Sequence, residues 1–286
     1  MIYRKAFIFI NIVIFFFYLA TAQVLPSNNL QSEEDLKLYP VLWHQLSAEY
    51  MALCYQAFNA ARSTLEMELA KNRLGERLAI VTDIDETILD NSYSEARNIV
   101  EGKSYNFADW TKWIDEASAT AIPGSVDFLC FAASMGVEIF YISNRTPRDI
   151  PATIFNLRYL NFPFADKEHM LFLADGSSKE SRRKVVAGDY KIILLLGDNL
   201  NDFADCFEVK DNIARAEAVE KFRQEWGRRF IVIPNAIYGE WEKGIYDYKE
   251  NLSPEERAKV RKAKLKTTVC PEQEHKIEFL THYANA

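Results

Sequence analysis

Residues 78–81, Leu-Ala-Ile-Val, form a short apolar run that ends at Thr82-Asp83-Ile84-Asp85, within the longer stretch VTDIDETILDN. An apolar run of this length, broken by acids, reads as a buried strand of a parallel α/β sheet. Such sheets gather their chemistry in the loops at the carboxyl ends of their strands, which is where Asp83 falls. Two acids two residues apart in a turn can face one cavity while keeping different environments. That is the condition for one to act as a nucleophile and the other as a proton carrier. Alone, the pair would read as a solvated acidic turn, so the rest of the chain has to decide.

Two further strand-like runs end in polar residues of the same kind. Val137–Ile142 leads into Ser143-Asn144-Arg145, and Lys191–Leu196 leads into GDNLND, with Asp198 and Asp202. Between them, SSKESRR carries Lys179. If these are strand ends of one sheet, Asp83, Asp85, Ser143, Lys179, Asp198 and Asp202 meet in one place. Carboxylates, a hydroxyl and an ammonium in one site suit phosphoryl transfer. A carboxylate with a reference pKa of about 3.9 is ionised near neutrality and can attack phosphorus without a helper base. Ser143, with Asn144 beside it, and Lys179 would hold phosphoryl oxygens. So many acids around a phosphate dianion require a hard divalent cation, and an oxygen-rich carboxylate site suits Mg²⁺.

These motifs carry a family resemblance. The chain resembles the class C acid phosphatases of the haloacid dehalogenase superfamily, the four-aspartate phosphatases that include the lipoprotein e 5'-nucleotidases. The likeness runs over residues 40 to 245, through LWHQLSAEYMALCYQAFNAA, DIDETILDNS, DWTKWID, AIPGSVDF, FYISNR, SSKESRR, GDNLNDF and IPNAIYGEWE in the family's order. The resemblance implies a Rossmannoid parallel sheet flanked by helices, with a smaller, mainly helical appendage. It also implies Asp83 as the phosphate-accepting nucleophile and Asp85 as general acid and base. Mg²⁺ would be held by the side chains of Asp83 and Asp198 and the backbone carbonyl of Asp85, with Asp202 as the fourth aspartate, bound directly or through a water. Tyr238, in PNAIYGEWE, stands where a tyrosine of the resembled nucleotidases packs against the base or nicotinamide ring, and Trp110 is a second candidate face. The expected substrates are phosphomonoesters, 5'-nucleotides and nicotinamide mononucleotide in particular.

Residues 1–22 begin with Arg4 and Lys5, run through an apolar stretch from Ala6 to Leu19 and finish in Ala20-Thr21-Ala22. This is the pattern of a secretory signal with a small-x-small cleavage site, and no lipobox cysteine follows it. The apolar stretch is shorter than the roughly 20 residues of a comfortable membrane span, so export to the periplasm or medium is expected rather than a stable anchor. The chain carries a net charge of −7, and losing Arg4 and Lys5 with the signal takes it to −9. An acidic balance of this size argues against nucleic acid as a partner. A homodimer remains open.

Cys54, Cys130, Cys206 and Cys270 are far apart with no CxxC pair, which disfavours zinc and leaves disulfide pairing undetermined. Cys54 and Cys130 lie in apolar helical patterns, where a small buried hydrophobe is expected. His44, His169, His275 and His282 fall outside every motif, and no Arg-His pair of a histidine phosphatase is present.

The organisation reads as a signal at 1–22, a helical segment at 23–75, a core at 76–245 with an aromatic insertion at 92–122, and a terminal helix and tail at 246–286. Helices are expected over 34–72, with Leu42, Leu46, Tyr50, Leu53 and Phe58 at helical spacing, then over 124–135, after Thr146-Pro147, over 178–187 and over 216–226. A strand should follow at 230–233, and the order is α/β. The basic run KVRKAKLK reads as a solvated helix face. Two other readings stay beside the phosphatase: a receiver-like domain that only accepts phosphate, and a dehalogenase. The acid two residues after Asp83 separates the first, since a receiver needs no proton donor there.

Overall fold

The computed structural model describes residues 35–267 apart from 73, 74 and 175. The expected signal at 1–22, Cys270, His275, His282 and the tail beyond 267 lie outside the described residues. At the amino end, helices α1 (Leu38–Leu46) and α2 (Ala48–Lys71) meet at Ser47, whose hydroxyl caps α2 by accepting the Tyr50 N–H. The apolar face of α2 is Tyr50, Cys54, Phe58, Ala61 and Leu65, one residue per turn or so, all buried. Leu42, Leu46 and Leu53, expected on that stripe, are exposed instead. The spacing was helical, but Leu53 precedes the true stripe residue Cys54 by one position and so points outward.

The sheet has five parallel strands: β1 (Leu78–Thr82), β4 (Glu138–Ile142), β5 (Met170–Leu171), β6 (Lys191–Gly197) and β7 (Phe230–Val232), in the order β5-β4-β1-β6-β7. All five residues of β1 are buried because helices cover both faces. Ile80, Ile139 and Tyr141 point to one face, with α2, α5 (Ser125–Ser134) and α6 (Ile150–Tyr159). Ala79, Val81, Phe140 and Ile142 point to the other, with α7 (Glu180–Asp189) and α8 (Asn212–Lys221). Opposite Ala79 and Ile80 the register of β6 skips Ile193, so Ile193 and Leu194 share one face despite being neighbours. On the second face Phe203, Phe207, Phe222, Trp226 and Phe230 form a connected aromatic cluster, with neighbouring centroids 5.3 to 5.9 Å apart.

Between β1 and α5 the chain forms a two-stranded antiparallel pair, β2 (Leu89–Asp90) with β3 (Thr120–Ala121), enclosing helices α3 (Ser92–Glu101) and α4 (Phe107–Glu116). Short helices α9 (Glu240–Ile245) and α10 (Pro254–Lys264) complete the described chain. Helix α8 starts at Asn212, four residues before the expected start, because Asp211 caps it through its side chain to the Ala214 N–H. Among the described cysteines, Cys54 is buried, Cys130 half-buried and Cys206 exposed, and all three are free. His44 bonds the Tyr50 hydroxyl at 2.8 Å, and His169 lies between Asp166 and Glu138, so both serve packing. No helix among the described residues is long and apolar enough to cross a membrane.

Candidate active site

Strand β1 sits between β4 and β6, where chain progression along the sheet reverses direction, and its carboxyl end opens into the crevice such a switch creates. Asp83 follows β1 directly, and its N–H is pinned to the Leu196 carbonyl of β6 at 2.9 Å. A single tight turn then carries Ile84–Leu89: the amides of Ile88 and Leu89 both reach the Ile84 carbonyl, and Glu86 adopts a left-handed φ of 55°. That strained residue reverses the chain within one turn and holds Asp85 above the strand end.

Lys179, at the start of α7, extends its ammonium between two carboxylates. It bonds Asp83 Oδ1 and, at 2.7 Å, Asp202 Oδ1. Asp198 closes the group, with one oxygen from each of Asp83, Asp198 and Asp202 within 4.8 Å of the others. The Thr87 hydroxyl lies 3.3 Å from Asp83 Oδ2 and 3.4 Å from Asp198 Oδ1, and Asn235 donates to Asp198 Oδ2 at 2.7 Å. Asp202 is fixed by its turn, since its Oδ2 accepts the Asn199 N–H at 3.0 Å in a capping box.

The electrostatics follow from burial. Burial pushes the Asp83 carboxyl up to about 7, with Lys179 opposing and Asp202 and Asp85 adding to the rise. Asp198 is pushed well above the ordinary carboxylate range by burial and by the charges of Asp202 and Asp83. Burial works against the Lys179 ammonium, but Asp202 and Asp83 outweigh it and raise its pKa. Three crowded carboxylates sharing one ammonium are short of positive charge. Their hard oxygen donors fit a divalent cation bound by Asp83, Asp198 and Asp202.

Other expected residues fall as follows. Ser143 is fully buried past the end of β4; its Oγ accepts the Arg145 N–H at 3.1 Å, leaving its hydroxyl hydrogen to donate. Asn144 is exposed, and its side-chain Oδ1 accepts from Arg182 Nη2 at 2.6 Å. Asp85 is half-exposed beside Arg145. Trp110 is half-buried, 5.8 Å from the Arg145 guanidinium and 6.5 Å from the Tyr105 ring. Tyr238 is half-buried with Lys37 Nζ 5.9 Å from its ring.

Sequence reasoning missed the braces. Arg182 donates to the Ser143 carbonyl at 2.6 Å and the Ser178 carbonyl at 3.1 Å, tying the end of β4 to the Lys179 loop. Arg183 donates to the Asp202 carbonyl at 2.9 Å, tying α7 to the other side of the site. Both arginines are buried within SSKESRR, and two adjacent arginines so close to a site lysine were the available signal.

Gly197 has a specific task. A Cβ built there would lie 2.4 Å from the Asp202 Cβ, far inside contact distance. Only glycine lets the Asp202 carboxylate reach Lys179. Gly197→Ala is therefore expected to push Asp202 outward and lower kcat/KM by about tenfold or more, with metal affinity weakened in parallel. Unchanged metal affinity by calorimetry would contradict this.

Residues 19–241 match the family described as HAD superfamily, subfamily IIIB (Acid phosphatase). Among solved structures, the class C acid phosphatase from Bacillus anthracis with tungstate bound is 41% identical, with a TM-score of 0.79. That match covers 83% of this chain and 100% of the other. A second structure of the Bacillus anthracis class C acid phosphatase matches at 41% identity and a TM-score of 0.78, over 82% of this chain and 99% of the other.

Proposed function

Because the chain belongs to the acid phosphatase subfamily IIIB of the HAD superfamily, and is a phosphomonoesterase, we propose that it is a secreted, Mg²⁺-dependent enzyme that hydrolyses 5'-nucleotides, nicotinamide mononucleotide among them. The observation that carries this reading is the buried Lys179 ammonium between Asp83 and Asp202, with Asp198 beside them. A phosphate dianion entering this group meets the Lys179 ammonium and a nucleophile held at the end of β1, and Ser143, past the end of the neighbouring strand β4, is the expected second phosphate contact. Tungstate in the Bacillus anthracis relative is an oxyanion, which supports the same ligand class here.

In the proposed reaction Asp83 attacks phosphorus in line, and Asp85 protonates the departing oxygen. Asp85 then takes a proton from the water that hydrolyses the aspartyl-phosphate. Lys179 holds phosphoryl oxygens and keeps Asp83 oriented through its Oδ1. When bound, the cation supplies charge neutralisation on those oxygens. Asp83, Asp198 and Asp202, with the Asp85 carbonyl, are the residues to hold it. Small phosphomonoesters are the expected ligands, and the acidic net charge of −7 argues against nucleic acid as a partner. The pattern of residues 1–22 supports export, with a mature end at Gln23.

The test is hydrolysis of an aryl phosphate with Mg²⁺ and with a chelator. Turnover that needs Mg²⁺ supports the reading, and equal turnover in chelator contradicts the metal role.

For the nucleotide part, Tyr238→Ala should reduce kcat/KM on a nucleoside monophosphate by about tenfold or more. A small aryl phosphate should be nearly unaffected, since stacking contributes about 1 to 3 kcal/mol per base. A second reading, a broad phosphatase with no nucleotide preference, draws on the same rings: Lys37 lies over Tyr238 and Arg145 over Trp110. Equal losses on both esters would favour it.

A further inference from the structure

The Asp85 carboxylate is held asymmetrically. Arg145 donates to Oδ1 from Nη2 at 2.7 Å and Nε at 3.1 Å, and Asn91 Nδ2 adds a third donor to the same oxygen at 2.9 Å. Oδ2 receives only a 3.2 Å contact from Nε. A carboxylate oxygen has about two lone pairs, so Oδ1 is saturated and Oδ2 keeps room for a proton.

Each donor is itself oriented from a different element. Arg145 Nη1 donates to Thr153 Oγ1 at 2.9 Å, and that hydroxyl donates to the Asp149 carbonyl at 2.8 Å at the start of α6. On the other side, Trp113 Nε1 of α4 donates to Asn91 Oδ1 at 2.8 Å, which decides that the amide nitrogen faces Asp85. Arg145, Asn91, Thr153 and Trp113 are all buried, so none of these bonds competes freely with water.

We propose that Arg145 and Asn91, oriented by Thr153 and Trp113, form a lock that dedicates Oδ2 of Asp85 to proton transfer with the leaving oxygen. Thr153 and Trp113 are positioning residues. They act on the reaction only through the direction in which Asp85 presents one oxygen, because a general acid must lie within hydrogen-bond reach of the atom it serves. The lock also gives the insertion at 92–122 a role, since α4 supplies one of its two outer anchors. This inference rests on the reading of Asp85 as general acid.

The test compares wild type, Asp85→Asn, Thr153→Val and Trp113→Phe on p-nitrophenyl phosphate, whose leaving group departs without help, and on glycerol phosphate, whose alkoxide needs a proton. Thr153→Val keeps the side-chain volume and removes the acceptor of Arg145 together with the hydroxyl's bond to the Asp149 carbonyl, so it carries the test even if Trp113→Phe does not fold. The lock requires the first-turnover release of alcohol from glycerol phosphate to slow about tenfold or more in Thr153→Val, part of the general-acid contribution, while first-turnover release of p-nitrophenol changes by less than about twofold and KM holds on both; the first turnover is the readout because Asp85 also serves the later hydrolysis, which the two esters share. Equal losses on the two esters, no loss on either, or a change confined to KM would overturn it. If Asp85→Asn is selective against glycerol phosphate and Thr153→Val is not, the lock alone fails. If Asp85→Asn treats the two esters alike, the general-acid reading fails and the lock falls with it.

Discussion

Asp83→Asn is expected to lower turnover by at least about four orders of magnitude and, at the same time, to raise the melting temperature of the metal-free protein above neutral pH. The two effects have one origin. Asp83 is a buried carboxylate, and burial first, then the charges of Asp202 and Asp85, push its pKa up to about 7 against the pull of Lys179. An amide has nearly the same shape and relieves the repulsion, but it is a poor nucleophile and a neutral ligand. Lys179 keeps Asp202 as its partner in the variant, so the buried ammonium is not stranded. Turnover close to wild type would remove Asp83 from the chemistry. A lower melting temperature in chelator at pH 8 would show that the carboxylate stabilises the metal-free fold after all.

Lys179→Met should have the largest effect on stability. Losing one partner of a buried ion pair typically costs about 3 to 5 kcal/mol, and here the loss leaves three facing carboxylates with no ammonium among them. The same crowding sets the pH dependence of the wild-type protein. The folded pKa of Asp83 lies above its unfolded value of about 3.9, so the folded state holds the extra proton and gains stability below the unfolded pKa. That gain is lost as pH rises through about 7, and Asp198, also raised, adds to it in the same direction. Metal-free protein should therefore melt at a higher temperature at pH 5 than at pH 8. Mg²⁺ should restore stability at pH 8 and do little at pH 5, where protons compete for the same oxygens. Melting curves at both pH values, with metal and with chelator, check the sign. Lys179→Met should widen the gap between the metal-bound and metal-free curves at pH 8.

What could be read from the chain was local and repeated. The runs before Asp83, Ser143 and Asp198 each announce a buried strand followed by polar residues, and β1, β4 and β6 lie within a residue of the expected limits. The parallel order brings their carboxyl ends together, so a list of strand ends was nearly a list of site residues. The two-residue strands β2, β3 and β5 were not legible, because a pairing of that length has no period to detect. The start of α8 was legible and missed, since Asp211 is a good capping residue. The contacts around Asp85 were hidden for another reason. Arg145 is 60 residues from Asp85 and Trp113 is 22 from Asn91, and no spacing rule links them. Arg145 stood in the quoted motif FYISNR, yet an arginine beside a phosphate site reads as an anion binder, whereas the fold turns it onto a carboxylate.

The mechanism depends on Asp83 carrying the phosphoryl group. The direct measurement is a single turnover on an aryl phosphate with Mg²⁺, quenched in acid, with the peptides mapped for covalent phosphate. An acyl-phosphate on Asp83 in the peptide containing VTDIDETILDN, lost on treatment with hydroxylamine and absent from Asp83→Asn, is the expected result. Full single-turnover release of product with no phosphorylated peptide at any time, or with phosphate on a residue other than Asp83, would contradict it.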